Sequence, residues 1–276
     1  MRTLFMTLLL VASMVGLSFA QKKAEPTTRE MNLINWQEFQ KLVPGQIETV
    51  LLPTGTLEAH GVLPNGSDNL APEAMARELA PRLDALVAPT LNYGVTGSLK
   101  GYPGGFAISR DAYKAFITDV MAGLAMNRFK NIIILNGHGG PQTAILQDVA
   151  QTISDRYRVR TLVINWWSLA SEETFAVFGE NGGHAGNNET AYIQAIVPEH
   201  VHPEWYRKDM ATPYPAPKTW SAYPFPSSIG LYEKGQGYPT FNKKQAKDYF
   251  RRVNERVFQL ISEVIRKWDM AGLYRD

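Results

Sequence analysis

KNIIILNGHGG, residues 130–140, is the segment that decides how the rest of the chain is interpreted. Its four consecutive apolar residues, mostly β-branched, indicate a strand buried on both faces. His138 follows directly at the end of that strand and has three glycine neighbours. Because glycine permits a sharp turn and the close approach of a ligand, we interpret His138 as a side chain presented at the carboxyl edge of a sheet.

Strand-like and helix-like segments alternate on both sides of this segment. Apolar runs predict strands within residues 48–55, 85–94, 130–136 and 160–167. Apolar residues at helical spacing predict helices at 32–43, 71–83, 110–127, 143–157, 188–197 and 243–268. This alternation predicts an α/β fold with a mainly parallel sheet and helices on both faces. In such folds ligands bind at the carboxyl ends of the strands.

The first twenty residues form a separate segment. MRTLFMTLLLVASMVGLSFA has one arginine, an apolar run and a small-x-small ending at Ser18 and Ala20, the pattern of a secretory signal peptide. A membrane anchor is the alternative, but the apolar run is short for spanning a bilayer and polar sequence follows it. We therefore expect cleavage after Ala20, a single mature domain of residues 21–276, and a periplasmic or secreted location. The absence of cysteine suits an oxidising compartment.

The charge balance of the chain is close to neutral, with 28 basic and 26 acidic residues. Binding to nucleic acid or to an anionic membrane surface depends on excess positive charge. We therefore expect no nucleic-acid partner, and no membrane association once the signal peptide has been cleaved.

Three of the five histidines share a glycine-rich context. His60, His138 and His184 lie in TLEAHG, LNGHGG and NGGHAGNNET, whereas His200 and His202 lie in the ordinary polar segment PEHVHPEW. We interpret the first three as functional and the last two as surface or structural residues.

Acidic residues accompany these histidines. Glu58 precedes His60 by two positions, which places both on the same side of an extended segment. Asp68 follows a turn that could bring it back toward His60, and Glu189 lies five residues after His184. Each acid has a simpler explanation: a surface ion pair for Glu58, a helix cap for Asp68, and a first-turn acid for Glu189. Their joint occurrence with three histidines instead favours a metal site.

The combination of imidazoles and carboxylates suits Zn, Mn or Fe(II). Six ligands are too many for one tetrahedral zinc ion. They suit two divalent ions that share a bridging carboxylate and a bridging water.

Several segments together resemble the motifs of the creatininase (creatinine amidohydrolase) family. They are LPTGTLEAHGVLPNGSDN, ILNGHGG and HAGNNET, with YGVTGSLKGYPGGFAIS similar to the glycine-rich substrate loop of that family. The resemblance extends over residues 50–197. It implies a three-layer α/β/α sandwich with a mainly parallel central sheet, a homo-oligomer that is frequently a hexamer, and a two-metal centre that hydrolyses cyclic or linear amides.

The resemblance also implies roles for individual residues. Glu58 and His138 would hold one metal, His60 would hold the other, and Asp68 would bridge them. His184 would transfer a proton during catalysis.

Two departures from the family pattern bear on the site. Creatininase carries a Tyr-Glu pair after the strand-end histidine, and its Glu is a metal ligand, whereas this chain has Gly139 and Gly140. We therefore predict that Glu189 completes the second metal and is needed for catalysis. The segment HGVLP after the first motif is shorter than the family's HGPHLP and lacks its second histidine. Both departures argue against creatinine as the substrate, and relatives without the Tyr-Glu pair include hydrolases of formamides and peptides.

The predicted reaction is hydrolysis of a C–N amide bond in a small molecule. Two metals would lower the pKa of a shared water, and the resulting hydroxide would attack the carbonyl carbon. His184 would donate a proton to the departing nitrogen. Ser98, Tyr102, Gly104 and Gly105 are predicted to line the substrate pocket, with simple packing as the alternative for Tyr102.

Other functions are less consistent with the sequence. A phosphate-binding loop would usually bring the lysine of a G-K-[ST] ending, and a serine hydrolase would have a G-x-S-x-G turn; neither is present. A non-catalytic periplasmic metal-binding protein would often carry histidine-rich tracts, and this chain has none. That alternative, and a metallopeptidase-like enzyme acting on a peptide or a formamide, stay open at this point.

Overall fold

The computed structural model describes residues 25–216 and 219–274, so the predicted signal peptide lies outside the described residues. The central sheet has four parallel strands: β1 (Thr49–Thr54), β2 (Ala85–Val87), β3 (Asn131–Asn136) and β4 (Arg160–Asn165). Their order across the sheet is β2-β1-β3-β4. Two short strands, β5 (Thr212–Pro213) and β6 (Gly230–Leu231), form a second, two-stranded sheet.

Helices cover both faces of the central sheet. One face packs against α1 (Trp36–Leu42), α3 (Arg110–Met126) and α4 (Pro141–Tyr157). The other face packs against α2 (Ser67–Leu83), α5 (Trp166–Leu169), α6 (Ser171–Phe178), α7 (Asn187–Ile196) and the long α8 (Lys243–Met270). This arrangement confirms the predicted three-layer α/β/α sandwich. No helix in the described part of the chain is long and apolar enough to cross a membrane.

Alternation along the strands explains why there are two apolar cores. Leu51 and Ile133 point into the core on the α2 and α8 side, whereas Val50 and Ile132 point into the core on the α3 and α4 side. Successive side chains of a strand point to opposite faces, so a strand covered on both sides must be apolar at every position. The apolar run of β3 is therefore required by its place between two helical layers.

Helix α2 begins four residues earlier than predicted, at Ser67. A start at residue 71 would place Pro72 in the first turn, whereas Pro72 lies inside the observed helix. Proline has no backbone N–H, so the Asp68 carbonyl, four residues before Pro72, is left without its usual helical partner. This carbonyl instead packs closely against Gly55 and Gly137, where an added Cβ would lie 2.2 and 1.9 Å from its oxygen. The early start places Asp68 in the first turn of α2, between the ends of β1 and β3.

The strand predicted at 160–167 is shorter than expected, because Trp166 and Trp167 turn into α5 after β4 ends at Asn165. Strands β1, β3 and β4 are parallel and in register at Thr54, Asn136 and Asn165. The loops that follow these three strands therefore leave the sheet at the same edge.

Candidate active site

The six predicted metal and catalytic residues come together at this edge of the sheet. They are Glu58, His60, Asp68, His138, His184 and Glu189. The other two histidines lie on the surface as predicted: His200 is 66% exposed, and His202 pairs with Glu204.

Asp68 lies at the centre of this cluster. Its Oδ1 is 2.9 Å from Nε2 of His60, and its Oδ2 is 2.8 Å from Nδ1 of His138. The side chain is buried, and its two oxygens face different histidines. A carboxylate placed in this way can bridge two cations.

Glu58 and Glu189 extend the cluster on its two sides. Oε1 of Glu58 is 3.4 Å from Nδ1 of His138, and Oε2 of Glu189 is 3.8 Å from Nε2 of His60. Two groups of possible ligands result, each with its ligand atoms within 4.8 Å of one another, and both include Asp68. They are Glu58–Asp68–His138 and His60–Asp68–Glu189. A third group of the same kind brings together Glu58, His60 and His184.

Backbone carbonyls fix the proton position on all three imidazoles. His60 Nδ1 donates to the Glu58 carbonyl at 3.0 Å, His138 Nε2 to the Val95 carbonyl at 3.2 Å, and His184 Nε2 to the Ala59 carbonyl at 2.7 Å. A carbonyl can only accept, so these nitrogens carry the protons. When a ring is neutral, its other nitrogen presents a lone pair toward the carboxylates, as in histidines that ligate metals.

The carboxylates of the cluster favour positive charge on the histidines beside them. Burial disfavours a charge on His60, but Asp68, Glu189 and Glu58 outweigh it and raise the His60 pKa to about 10. Burial acts against a charge on His138 in the same way, and Asp68 and Glu58 raise its pKa to about 9. Without a metal, a proton must separate these nitrogens from the carboxylate oxygens. Divalent cations fit the same positions, because the ligand atoms are imidazole nitrogens and carboxylate oxygens.

For His184, Glu189 and Glu58, burial shifts the pKa more than the neighbouring charges do, and so favours the neutral form. Burial lowers the pKa of His184 to about 3, helped by the charge of nearby His60. Burial raises the pKa of Glu189 to about 7, and it also raises the pKa of Glu58. Asp68 differs, because His60 and His138 outweigh its burial and hold its pKa well below the usual range.

Asn136 and Gln142, two residues not predicted from the sequence to belong to the site, hold His138 in place. Asn136 accepts the His138 backbone N–H at 3.2 Å and donates to the His138 carbonyl at 2.7 Å. Gln142 is fully buried, donates to Asn136 at 3.2 Å and accepts the Val95 backbone N–H at 3.1 Å. It thus links the backbone of His138 to the residue whose carbonyl fixes its ring. Asn136 and Gln142 could have been identified from the sequence only by their position at the two ends of the segment NGHGGPQ around His138.

Gly140 explains why this loop carries no acid at the position where the family pattern has one. Its backbone has φ +60° and ψ −139°, a conformation open in practice to glycine alone. A glutamate at this position would be strained even though no atom blocks its Cβ. Glu189 instead reaches the cluster from the first turn of α7, and its Oε2 accepts the Ala185 backbone N–H at 2.6 Å.

A cleft of about 1040 Å³ opens above the cluster, and its lining includes Glu58, Asp68, His138, His184 and Glu189. Its walls also carry aromatic side chains, namely Trp167, Tyr214, Trp220, Tyr223, Phe225 and Tyr232. Lys100 and Arg110 are the basic residues of the lining. Many of these residues come from the proline- and aromatic-rich segment 214–232, whose ends are joined by the pairing of β5 with β6.

Four residues were predicted to line the substrate pocket, and the lining of this cleft includes one of them. Ser98 lines the cleft, whereas Tyr102, Gly104 and Gly105 do not. The Tyr102 hydroxyl instead donates to the Phe225 carbonyl at 2.9 Å and so joins the glycine-rich loop to segment 214–232. Gly104 has φ +78° and packs against Asn65, and the Gly105 N–H closes a turn on the Tyr102 carbonyl. These three residues shape the loop and lie outside the cleft lining.

Comparison with known proteins assigns the family. The family model of the creatininases, described as creatinine amidohydrolase, matches residues 32–261 of this chain. The chain belongs to the creatininase family. The match confirms the resemblance found in the three motifs and supports the prediction of a metal-dependent amidohydrolase.

Proteins similar to this chain in sequence are named for different substrates. The 3-dehydro-scyllo-inosose hydrolase of Thermotoga maritima is 29% identical over 58% of this chain and 54% of its own length. The creatinine amidohydrolase of Pseudomonas putida is 24% identical over 61% of this chain and 72% of its own length. The mycofactocin precursor peptide peptidase of Mycolicibacterium smegmatis is 29% identical over 56% of this chain and 60% of its own length. The chain thus spans about half the length of the inosose hydrolase.

Solved creatininase structures share the fold of this chain. A mutant creatininase of Zn–Zn type has a TM-score of 0.72 at 19% identity, covering 86% of this chain and 98% of its own. A manganese creatininase has a TM-score of 0.70 at 20% identity, covering 87% of this chain and 98% of its own. At this level of identity the likeness concerns the fold, which it confirms.

Proposed function

We propose that this creatininase-family protein is a two-metal hydrolase that cleaves a C–N amide bond of a small molecule. The observation that carries the proposal is the position of Asp68, whose two oxygens belong to two separate groups of ligands. Family membership supports the reaction class, and the zinc and manganese forms of solved creatininases support divalent ions as cofactors.

Six side chains have the chemistry to hold and serve two divalent ions, Zn, Mn or Fe. Glu58, His138 and Asp68 would hold one ion, and His60, Glu189 and Asp68 the other. Ions bound there would supply Lewis acidity, which activates water as a nucleophile and polarises an amide carbonyl.

His184 is suited to move the proton of the reaction. Its Nε2 proton is committed to the Ala59 carbonyl, so Nδ1, 3.6 Å from Oε1 of Glu58, is free to accept. Water adds to the amide carbon and the C–N bond breaks. In our proposal, Nδ1 of His184 takes a proton from the attacking water and returns it to the departing nitrogen, because an amide anion is a poor leaving group. This order differs from our sequence interpretation, in which His184 acted only as a donor.

Gly139 and Gly140 offer backbone donors in the same cleft. Their N–H groups have no hydrogen-bond partner among the residues that the structure describes, and both residues line the cleft. They precede α4, whose N-terminal end favours negative charge. In our proposal they donate to the substrate amide oxygen as negative charge develops on it.

The test of this function combines metal analysis with turnover. We expect about two ions per purified mature chain, and hydrolysis of members of an amide library that a chelator abolishes and added metal restores. His138→Ala should lose metal and activity together, whereas His202→Ala, on the surface, should lose neither. Full activity in the presence of chelator, or unchanged metal and rate in His138→Ala, would contradict the proposal. Two bound ions with no turnover would favour the alternative of a non-catalytic metal-binding protein.

A peptide is the second candidate substrate. One relative is named as a peptidase of a precursor peptide, and a cleft of about 1040 Å³ has room for several residues. Including short peptides and formamides in the library distinguishes a peptide substrate from a small-molecule amide. A peptidase would show rates that rise with peptide length.

We also propose that the protein is exported and that it forms a homo-oligomer, a hexamer by family resemblance. Large apolar side chains on the surface of the single chain support assembly: Trp36 is 72% exposed and Trp205 66%. The molar mass of the purified protein, measured by light scattering, tests the assembly, since a monomeric mass at micromolar concentration would contradict it.

A further inference from the structure

Two positive charges on the wall of the cleft are not used by the mechanism. Lys100 lies in the glycine-rich loop before α3, and Arg110 is the first residue of α3. Both are exposed. Within the described part of the chain neither forms an ion pair with an acidic residue.

The cleft offers these cations no partner of its own. The acidic residues in its lining are Glu58, Asp68 and Glu189, and all three belong to the metal cluster. Once metals occupy that cluster, the carboxylates there are neutralised. The walls then carry two positive charges and no free negative charge.

Arg110 has no role in stabilising its own helix. A cation at the N-terminal end of a helix is unfavourable, because the helix dipole places partial positive charge there. The helix is already capped, since Ser109 accepts the Ala112 backbone N–H at 3.3 Å. The position of Arg110 is therefore better explained by something that binds to it.

Lys100 is held on the cleft wall by anchored neighbours. The Phe225 backbone N–H donates to the Ser98 carbonyl at 3.1 Å, and Tyr102 donates to the Phe225 carbonyl at 2.9 Å. Both bonds tie the loop around Lys100 to segment 214–232. The backbone that carries the Lys100 side chain is thus tied to segment 214–232 on either side of residue 100.

We propose that the substrate carries a carboxylate, which Lys100 and Arg110 bind while the amide lies at the metal cluster. This inference rests on the proposed function and specifies its substrate class as an acylated amine with an acid group, such as an N-acyl amino acid. The aromatic walls of the same cleft suit an apolar side chain on that molecule. Arg110 offers two parallel donors to a carboxylate, and Lys100 adds a point charge.

The test compares two compounds that differ only in the carboxylate. N-acetylphenylalanine carries it, and N-acetyl-2-phenylethylamine lacks it. Binding to the zinc-loaded chain is followed by tryptophan fluorescence, since Trp167 and Trp220 line the cleft, and hydrolysis is followed by release of the amine. The variants are Lys100→Met, Arg110→Met, Arg110→Lys and the double Met variant. Lys247→Met is the control, because Lys247 is exposed on α8, outside the cleft lining.

We expect the wild type to bind the carboxylate compound at least tenfold more tightly than the neutral one. Each Met variant should reduce this ratio, and the double variant should bring it near one. Arg110→Lys should recover part of it, and Lys247→Met should keep all of it. Rising salt should reduce the ratio of the wild type but not that of the double variant.

Binding and hydrolysis separate the two ideas. A carboxylate preference that disappears in the double variant supports the inference whether or not either compound is hydrolysed, and absence of turnover then counts only against the proposed reaction. A ratio near one in the wild type, an unchanged ratio in the double variant, or no binding of N-acetylphenylalanine would overturn the inference.

Discussion

Glu189 is the residue on which the second ligand group depends. Its Oε2 is 3.8 Å from Nε2 of His60, and Gly140 offers no side chain in its place. Glu189→Gln keeps the shape and removes the charge, so we expect it to lose about one metal ion per chain and most of the activity. Elemental analysis and thermal unfolding of both proteins give the measurement. The exposed Glu204→Gln is the control, and a Glu189→Gln protein that retains two ions would show that Glu189 is an ordinary first-turn acid.

His60 and His138 give the metal site a pH dependence of defined sign. In the metal-free protein their pKa values are raised to about 10 and about 9, so both rings are protonated at pH 7.5. A cationic imidazole must lose one of its two N–H protons before that nitrogen can bind a metal. We therefore expect metal binding at pH 7.5 to release about two protons per chain and to tighten as the pH rises toward 9. Calorimetric titration in two buffers of different ionisation enthalpy measures the release, and binding without released protons would contradict the prediction.

At the scale of elements, the junction of β3 and α4 is the part of the fold that positions the site. Gln142 holds Asn136 and the Val95 backbone and also donates to Thr54 and to the Gly55 carbonyl. Gln142→Met keeps the volume while removing these bonds. We expect a loss of about 1–3 kcal/mol in the free energy of unfolding from the unsatisfied polar groups. Metal affinity should fall about 10–100-fold, because the carbonyl partner of His138 is no longer held.

Gln151→Met is the matched control for this prediction, since Gln151 lies on the same helix but is exposed. Thermal unfolding with and without zinc, together with metal titration, separates the two effects. Equal metal affinity in the Gln142→Met and Gln151→Met variants would show that Gln142 stabilises the fold without positioning His138.

Most elements could be predicted because their periodicity follows from burial. The run at Ile132 to Ile134 must be a strand covered on both faces, and the long α8 shows one apolar stripe. The early start of α2 could not be predicted, since it depends on a contact between Asp68 and two glycines from distant strands. The turn of Trp166 into α5 likewise follows from tertiary packing, as apolar residues at a strand end fit either element.

At the scale of the whole molecule, the six clustered residues could be predicted because histidines and acids recur in glycine-rich loops. Two of these loops follow β1 and β3, and the third joins α6 to α7. The carboxylate-binding role that we propose for Lys100 and Arg110 was not predicted, although Lys100 was the one basic residue in the glycine-rich loop. Tyr102 lies outside the cleft lining, and its hydroxyl meets the Phe225 carbonyl, 123 residues away in the chain. Contacts of this kind leave no local pattern in a sequence.

Export is a prediction for the whole molecule that rests on the sequence of residues 1–20. We expect the mature protein, expressed in a bacterial host with its own leader, to begin at about Gln21. N-terminal sequencing of the periplasmic fraction measures this. Recovery of a chain that starts at Met1 in the membrane fraction would contradict cleavage and favour an anchor.

The close packing of the Asp68 carbonyl against Gly55 and Gly137 has a consequence for laboratory evolution of new substrate range. A methyl group at either glycine would displace the residue shared by both ligand groups, so libraries at these positions should yield almost only inactive clones. Segment 214–232 contributes many of the exposed side chains above the same centre and none of the six ligands. Diversity introduced at Trp220 and Tyr223 would therefore alter which molecules are accepted while leaving the chemistry intact.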